Sequence, residues 1–228
     1  MDAPLRPFAF AHLVALGIVG AVTAACAFGV RSGPRAAATI RGILAVTLPL
    51  ALLLLMILDA RAGVSWRSYA PLQLCDVAVP LAVVALLTRH PLAFELTYAW
   101  SIAGTLPALL TPDVAEGFPH WRWLLYFAQH GGLVVAAGTL VAMGIRPRAW
   151  TPLRALLWLN VVALGIGAVD WVSGANFMYL RQKPGTATPL DWFGPWPLYI
   201  VTCEWIALAV FCVACAPLRL FRPERLSD

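Results

Sequence analysis

Cys75 and His130 are a pair of residue types that could carry chemistry in an otherwise apolar chain. A thiol is a strong nucleophile as its thiolate, and a neighbouring imidazole is the usual side chain that removes the proton. The bland alternative is that Cys75 packs as a small apolar side chain while His130 only hydrogen bonds inside the fold. Residue type alone leaves both interpretations open.

Three further polar residues could serve the same site. Asp76 follows Cys75 directly and could orient a histidine, although a paired structural acid is an equal alternative. Glu204 is predicted to lie behind His130, where a carboxylate would fix the tautomer and the basicity of the imidazole. His12 could reach the site from the first apolar segment, although a histidine near the membrane interface is usually solvated.

Histidines, acids and cysteines lack the spacing of a metal or redox centre. No HxxxH or HExxH pattern occurs, so the sequence predicts no metal and no other cofactor. Cys212 and Cys215 form a CxxC in the last apolar segment, where packing is the expected role. The five cysteines, mostly inside apolar segments, argue against a disulfide framework.

The composition is that of an integral membrane protein. Hydrophobic residues make up 61% of the 228 residues and charged residues 12%, whereas soluble domains carry about 25% charged residues. The net charge of +5 comes from arginines in short loops, where they set membrane orientation. We therefore predict membrane lipids as partners and no nucleic acid.

Seven apolar segments have about the 20 residues that a membrane span requires. In lipid the backbone must satisfy its own hydrogen bonds, which favours helices. The sequence predicts an all-α polytopic membrane protein, with seven transmembrane helices in a bundle that forms a single domain over residues 1–228. The predicted spans are 8–30, 36–58, 71–88, 92–110, 121–143, 153–172 and 195–216.

The orientation follows from the basic residues. Ten of the 16 lysines and arginines fall on one side and six on the other, which predicts an outer N-terminus and a cytoplasmic C-terminus. Arg6 and the small residues at the end of the first segment resemble a signal peptide, but the length of that segment favours a span. Cys75, His130 and Glu204 then lie in the outer half of the membrane.

Two outer loops could bind substrate. The loop over residues 173–194 exceeds the usual loop length, and its aromatic residues and prolines predict an ordered cap. It carries Asn176, Arg181 and Lys183 as candidate ligand-binding residues. The loop after the fourth span carries His120. Asp113 and Asp191, at predicted helix ends, are expected to hold the two loops rather than to react.

Five motifs resemble the YwaF-like family of bacterial integral membrane proteins, and together they cover nearly the whole chain. They are LQLCD at 72–76, GTLPALLTPD at 104–113, GFPHWRWLLYFAQHG at 117–131, NFMYLRQKP at 176–184 and LDWFGPWPLYI at 190–200. This resemblance implies a location in the bacterial cytoplasmic membrane. A eukaryotic branch of the family is similar to O-acyltransferases that move fatty acyl chains between phospholipids through an acylated cysteine and a histidine.

Cys75 and His130 match that cysteine and that histidine in order and approximate separation. The resemblance therefore implies that Cys75 takes an acyl chain from a phospholipid and passes it to a lysolipid, with His130 as the base. The remaining candidates are assigned to substrate binding, namely His12, Asp76, His120, Asn176, Arg181, Lys183 and Glu204. The alternatives are a transporter or receptor-like protein that binds a small solute or lipid, and a structural membrane protein.

Overall fold

The computed structural model describes residues 6–185 and 188–220, and within these ranges no strand occurs. The all-α class is confirmed. Besides the α-helices, the described residues contain a π turn at Ser101–Thr105 and two short 3-10 segments, which we call 3-10 turns, at Phe177–Tyr179 and Pro189–Phe193. The helices are α1 Phe10–Gly29, α2 Pro34–Arg61, α3 Trp66–Tyr69, α4 Leu74–Thr88, α5 Pro91–Trp100, α6 Leu106–Leu110, α7 Trp121–Ala142, α8 Thr151–Ser173 and α9 Leu198–Leu220.

In the described part of the chain, five helices are long and apolar enough to cross a membrane: α1, α2, α7, α8 and α9. This confirms the prediction of a transmembrane protein. Helix α4 is also apolar but has 15 residues. The helical run over residues 91–110 is divided by the π turn.

Helix α4 starts three residues after the predicted start of its span at Pro71. Gln73 is the N-cap residue: its side chain accepts the backbone N–H of Asp76, while the Asp76 carboxylate accepts the N–H of Gln73 at 3.0 Å. This reciprocal pair is a capping box, which satisfies two N–H groups that the first helical turn leaves unpaired. Cys75 is therefore held in the first turn of α4.

The π turn interrupts the run from α5 to α6 just before Pro107. A proline ring inside an α-helix clashes with the carbonyl four residues earlier and removes one hydrogen bond. A π turn adds one residue to the helical turn, which relieves such a conflict without ending the helix. Ser101, the first residue of the π turn, contacts α7 through a hydrogen bond from its hydroxyl to the carbonyl of Leu133 at 3.5 Å.

Helix α7 is the centre of the bundle and packs against α1, α2 and α4. Two adjacent glycines allow this close approach. A Cβ atom on Gly131 would lie 2.5 Å from Val19 of α1, and one on Gly132 would lie 2.9 Å from Leu48 of α2. Small residues at helix contacts are a common way for membrane helices to pack, because dispersion replaces the hydrophobic effect there.

A buried acid ties α5 to the connection between α7 and α8. Glu95 is 1% exposed and accepts from Arg148 Nε at 2.6 Å and from Arg154 at 3.4 Å. The hydrogen bond that Arg148 donates to Glu95 raises the pKa of Arg148, which lies in the connection. Two cations therefore neutralise this carboxylate at the end of the bundle opposite Cys75.

The structure describes the predicted cap over residues 173–194 except for residues 186 and 187. Both 3-10 turns lie within this cap. In the second 3-10 turn, the Asp191 carboxylate accepts the backbone N–H of Thr188 at 2.9 Å, and the backbone N–H of Asp191 donates to the carbonyl of Thr188 at 3.0 Å. The predicted loop-holding role of Asp191 is confirmed. The predicted orientation depends partly on Arg222 and Arg225, which lie outside the described residues.

Candidate functional site

Cys75 lies half-buried at the beginning of α4, with its thiol directed at its neighbour Asp76. The sulfur donates to Asp76 Oδ1 over 3.7 Å. The same carboxylate accepts the backbone N–H of Gln73 with its other oxygen. The side chain of Asp76 is thus fixed by the helix cap and in turn orients the thiol.

Gln129 of α7 completes the shell of the Asp76 carboxylate. Its amide nitrogen donates to Asp76 Oδ1 at 2.7 Å, and the Gln129 side chain is 1% exposed. Gln129 directly precedes His130, so this hydrogen bond joins the first turn of α4 to the stretch of α7 that carries the histidine. A buried amide that bonds a carboxylate across two helices fixes their relative register.

His130 is 6% exposed and hydrogen bonds to its own helix. Its Nδ1 lies 3.0 Å from the carbonyl oxygen of Tyr126, one turn earlier. A carbonyl can only accept, so Nδ1 carries the proton and the Nε2 atom of the neutral ring carries a lone pair. The Tyr126 ring stacks on the imidazole at 4.0 Å between centroids, and its hydroxyl donates to Ala108 O at 2.7 Å.

The first 3-10 turn of the cap covers the start of α4. The backbone N–H of Met178 donates to Gln73 Oε1 at 2.8 Å, and the carbonyl of Tyr179 accepts the hydroxyl of Tyr199. Met178 and Tyr179 both have positive φ angles, 53° and 55°. Non-glycine residues in this conformation are uncommon and occur often at functional sites.

Tyr179 also joins the two outer loops. Its hydroxyl donates to the carboxylate of Asp113. Burial raises the pKa of Tyr179, and the interaction with Asp113 raises it further. Asp113 thus holds the loops as predicted, although its partner is a phenol rather than a backbone N–H.

His12 is bound at both ring nitrogens. Its Nδ1 accepts the backbone N–H of Phe8 at 2.8 Å, and its Nε2 donates to the carbonyl of Leu109 at 2.8 Å. The ring is 2% exposed and lies 5.6 Å from that of Phe127. In this arrangement His12 ties α1 to α6, and its role in substrate binding stays a prediction.

Glu204 does not lie behind His130, which corrects the predicted pairing. Its carboxylate accepts from the side-chain amide of Asn160 at 2.7 Å, so it joins α9 to α8. The group behind His130 is the carbonyl of Tyr126. A backbone carbonyl fixes the tautomer of an imidazole as a carboxylate does, but without adding a negative charge.

The candidate binding residues of the cap fold their own loop. Asn176 donates from its amide to Gln182 O at 2.8 Å and accepts the backbone N–H of Arg181 at 3.0 Å. Arg181 also donates to Ala175 O at 3.1 Å. The ammonium of Lys183 lies 5.6 Å from the centre of a tyrosine ring. Their predicted contacts with lipid remain predictions.

His120 is the N-cap residue of α7, where its Nδ1 accepts the backbone N–H of Arg122 at 3.2 Å. The Arg122 side chain bonds to Asp59 of α2 at 2.7 Å and to Glu116 at 2.5 Å. Although partial burial acts to raise it, the hydrogen bond from Arg122 holds the pKa of Glu116 below its usual value. His120 thus lies in a structural cluster at the N-terminal end of α7, and its predicted role in substrate binding is untested.

Sequence reasoning missed four residues of this site. Gln129 offered the clearest signal, because an amide in an apolar helix beside a histidine needs a buried partner. The other three acquire their role only from tertiary contacts. The missed residues are Gln73, Tyr126, Gln129 and Tyr179. Within residues 6–185 and 188–220, no group of three or more His, Cys, Asp or Glu side chains could hold a metal ion.

Comparison with known proteins gives a family but no characterised relative. The model of the TMEM164 family matches residues 7–215. An uncharacterized protein of Treponema pallidum (strain Nichols) is 28% identical over 124 residues, which are 54% of this chain and 51% of that protein. The chain thus spans about half the length of this curated relative. No solved structure matches the chain.

Proposed function

This chain belongs to the TMEM164 family, and we propose that it is a membrane acyltransferase that moves a fatty acyl chain from a phospholipid through a thioester on Cys75. One observation carries the proposal. The Cys75 thiol is directed at a carboxylate, and Gln129 joins that carboxylate to the helix of His130. The motifs shared with YwaF-like proteins, and their similarity to phospholipid acyltransferases, support the same assignment.

The proposed reaction begins with Cys75 held by Asp76. When a phospholipid binds, the sulfur attacks the carbonyl carbon of the ester, and His130 Nε2 takes the thiol proton. A negative Asp76 opposes a free thiolate beside it, so proton removal accompanies the attack. The ester C–O bond then breaks, and the proton passes from His130 to the oxygen of the departing lysolipid.

The second half of the reaction reverses these roles. The hydroxyl of an acceptor lysolipid attacks the thioester carbonyl and gives its proton to His130. The C–S bond breaks, and the sulfur recovers that proton from His130. This regenerates the Cys75 thiol and leaves the acyl chain as an ester on the acceptor, with no oxidant or cofactor consumed.

The oxyanion of each tetrahedral intermediate needs hydrogen-bond donors. The first-turn N–H groups of α4, which include that of Cys75, are oriented along the helix axis and lack helical acceptors. We assign this role to them rather than to Asn176, whose side chain already folds the cap. Arg181 and Lys183 lie in the cap and are assigned to the lipid phosphate.

The distribution of buried polar groups favours an enzyme over a transporter. The Cys75–Asp76–Gln129 network and the Glu95 cluster lie at opposite ends of the bundle. Between them the buried side chains are apolar, such as Leu86, Ala99 and Leu133, or carry a single hydroxyl, such as Thr97 and Ser101. A solute path would need polar groups along its whole length, whereas a site for lipid needs to open at one end only.

We further propose that the chain has seven spans in the bacterial cytoplasmic membrane, with its C-terminus inside. Helix α4 and the run over residues 91–110 would supply the two spans beyond the five long helices. The ten-to-six distribution of basic residues supports the orientation. A reporter fused after Asp228 should be active only as a cytoplasmic marker, and periplasmic activity would contradict the proposed topology.

The test of function is acyl transfer in vesicles. The purified protein is placed in phosphatidylcholine vesicles with a radiolabelled acyl chain and a lysophospholipid acceptor, and the labelled product is counted. Cys75→Ser should abolish transfer, because a hydroxyl is a far weaker nucleophile than a thiol near neutral pH.

Cys203→Ser is the matched control, since Cys203 is also a half-buried cysteine in a helix, and it should leave transfer unchanged. Equal transfer by Cys75→Ser and the unmodified protein would contradict the proposed function.

A further inference from the structure

Beside the π turn the bundle contains an apolar recess of about 180 Å³, which we name the π-turn recess. Helices α1, α5, α6, α7 and α9 all contribute to its wall. Several wall residues are only half-buried, so the recess is accessible from the side of the bundle. The wall of the recess includes Thr23, Ser101, Ile102, Leu106, Val134 and Gly138.

The hydroxyl groups around the π-turn recess are already bonded to the protein. Tyr98 donates to Ala214 O at 2.7 Å, and Thr23 donates to the carbonyl of Val19 at 2.7 Å. Ser101 donates to α7. A polar occupant would find these donors engaged, so the wall suits an apolar one.

The shape of the recess follows from two features of the backbone. The π turn displaces the α5–α6 run from regular packing, and such turns are frequent at functional sites. Gly138 of α7 allows α1 to approach, because a Cβ there would lie 2.6 Å from Thr23. The π turn leaves space between the helices, and the close contact of α1 with α7 at Gly138 bounds that space on one side.

The π-turn recess leads to the candidate site along one face of α7. Val134 lies four residues after His130, so the two side chains are neighbours on the same helical face, about one turn of 5.4 Å apart. Tyr126 occupies the next position on that face and stacks on the imidazole. An extended molecule in the recess would therefore have one end beside His130.

We propose that the π-turn recess binds the hydrocarbon tail of a membrane lipid, with the ester end of the chain beside His130. A cavity of about 150 Å³ lined by apolar side chains stays dry and takes benzene. The π-turn recess therefore fits a stretch of about six carbons. The surrounding solvent at this depth is lipid, which makes a lipid tail the apolar occupant at hand. The position of the ester end rests on the proposed function.

The probe is phosphatidylcholine with a diazirine in the middle of one acyl chain, mixed at low fraction into phosphatidylcholine vesicles that contain the full-length protein. After irradiation, mass spectrometry of peptides locates the adducts. We expect adducts on the segments that carry Ile102, Leu106 and Val134. An excess of unlabelled phosphatidylcholine should reduce them in a saturable way.

Val134→Trp should fill the recess and lower the yield of these adducts at least fivefold. Leu124→Trp is the matched control on the same helix, because Leu124 is 45% exposed and does not line the recess; it should leave the yield unchanged. If Val134→Trp does not fold, Ile102→Trp fills the recess from the opposite wall. Adducts that persist at full yield in a filled variant would overturn the proposal.

The same probe separates this inference from the proposed reaction. Cys75→Ser should keep the recess adducts while it loses acyl transfer, which supports both. Recess adducts without any transfer by the unmodified protein would support the lipid site and contradict the acyltransferase. Transfer with adducts spread evenly over the outer faces of all helices would contradict the lipid site alone.

Discussion

The two ends of the bundle each hold an acid, and the groups around these two acids differ. Glu95 is almost fully buried and paired with two arginines. Asp76 is half-buried, and in the described part of the chain its partners are a thiol, an amide and a backbone N–H, all of them neutral. The Glu95 carboxylate is neutralised by two cations, whereas the Asp76 carboxylate is bound only by neutral donors.

This difference separates a structural role from a chemical one. A buried ion pair with matched cations stabilises the connection between helices and leaves nothing for a ligand to change. A carboxylate held only by neutral donors has no cation to match it and lies beside a potential nucleophile, which is an arrangement found at functional sites. Substitutions at the Cys75 end should therefore affect acyl transfer or thiol reactivity, and substitutions at the Glu95 end should affect the free energy of unfolding.

The largest effect is expected at His130. His130→Ala should lower acyl transfer by about 10²–10⁴-fold, the usual contribution of a general base. The melting temperature should change little by comparison, since the side chain donates only to its own helix. The check is initial transfer rate against thermal unfolding in detergent, followed by tryptophan fluorescence. Parallel losses of rate and melting temperature would assign His130 a structural role.

The opposite pattern is expected at Glu95. Glu95→Gln leaves two arginines without their anion and should lower the free energy of unfolding by about 2 kcal/mol. This is less than the 3–5 kcal/mol typical of a fully buried pair, because Arg148 and Arg154 are 51% and 40% exposed. Transfer per folded molecule should be unchanged. A Glu95→Gln variant with normal stability and no acyl transfer would contradict the structural role assigned to Glu95.

Asp76→Asn sharpens the comparison by removing charge alone. The Asn oxygen still accepts from Gln73 or Gln129, so the free energy of unfolding should fall by less than about 1 kcal/mol. Iodoacetamide should alkylate Cys75 several-fold faster at pH 7, because the nearby anion no longer opposes the thiolate. The measurement is peptide mass spectrometry of alkylation over time. A slower reaction would mean that Asp76 activates the thiol instead.

Substitutions of Tyr179 or Asp113, which join the two loops, should lower the free energy of unfolding. Tyr179→Phe removes the hydroxyl that binds Asp113, and Asp113→Asn replaces its charged acceptor with a neutral one. Each should cost about 0.5–1.5 kcal/mol, the net range of one ordinary hydrogen bond, because this bond is exposed; transfer per folded molecule should be retained. The double variant should cost no more than the larger single change, because both act on the same bond. Additive losses would mean that the two residues act separately.

The smallest effect concerns Glu116, which lies in the loop before α7. Its pKa is lowered in the fold, so the stabilisation from Arg122 is present above the pKa that Glu116 has in the unfolded chain and is lost as the pH falls through the folded value. Glu116→Gln should therefore lower stability by less than about 1 kcal/mol at pH 7, as for partly exposed pairs. The difference from the unmodified protein should shrink as the pH falls and vanish below the folded pKa of Glu116. A difference that grows in acid would contradict this assignment.

The sequence was sufficient to predict the long helices, because every segment in lipid must satisfy its own backbone hydrogen bonds. Apolar length predicted all five long helices. The start of α4 was missed, since Pro71 continues the apolar run whereas the helix begins where Gln73 and Asp76 can cap each other. Hydropathy is insensitive to such caps.

The partners within the site were harder to predict. Gln129 and Asp76 are 53 residues apart in the chain, and no periodicity relates them. Glu204 was expected behind His130 from depth alone, yet Asn160 lies at the same level and is nearer in the bundle. Depth along a helix can be counted from sequence, but the rotation of each helix about its axis is set by packing.

The most direct test of the account is intact mass spectrometry of the protein purified from phospholipid membranes. The account predicts a fraction with added fatty-acyl mass, located on Cys75 and released by neutral hydroxylamine, which cleaves a thioester. The adduct should be absent from Cys75→Ser and should form far more slowly in His130→Ala, where attack on the phospholipid ester lacks its base. An unmodified Cys75 after incubation with phospholipid and no acceptor would contradict the central claim.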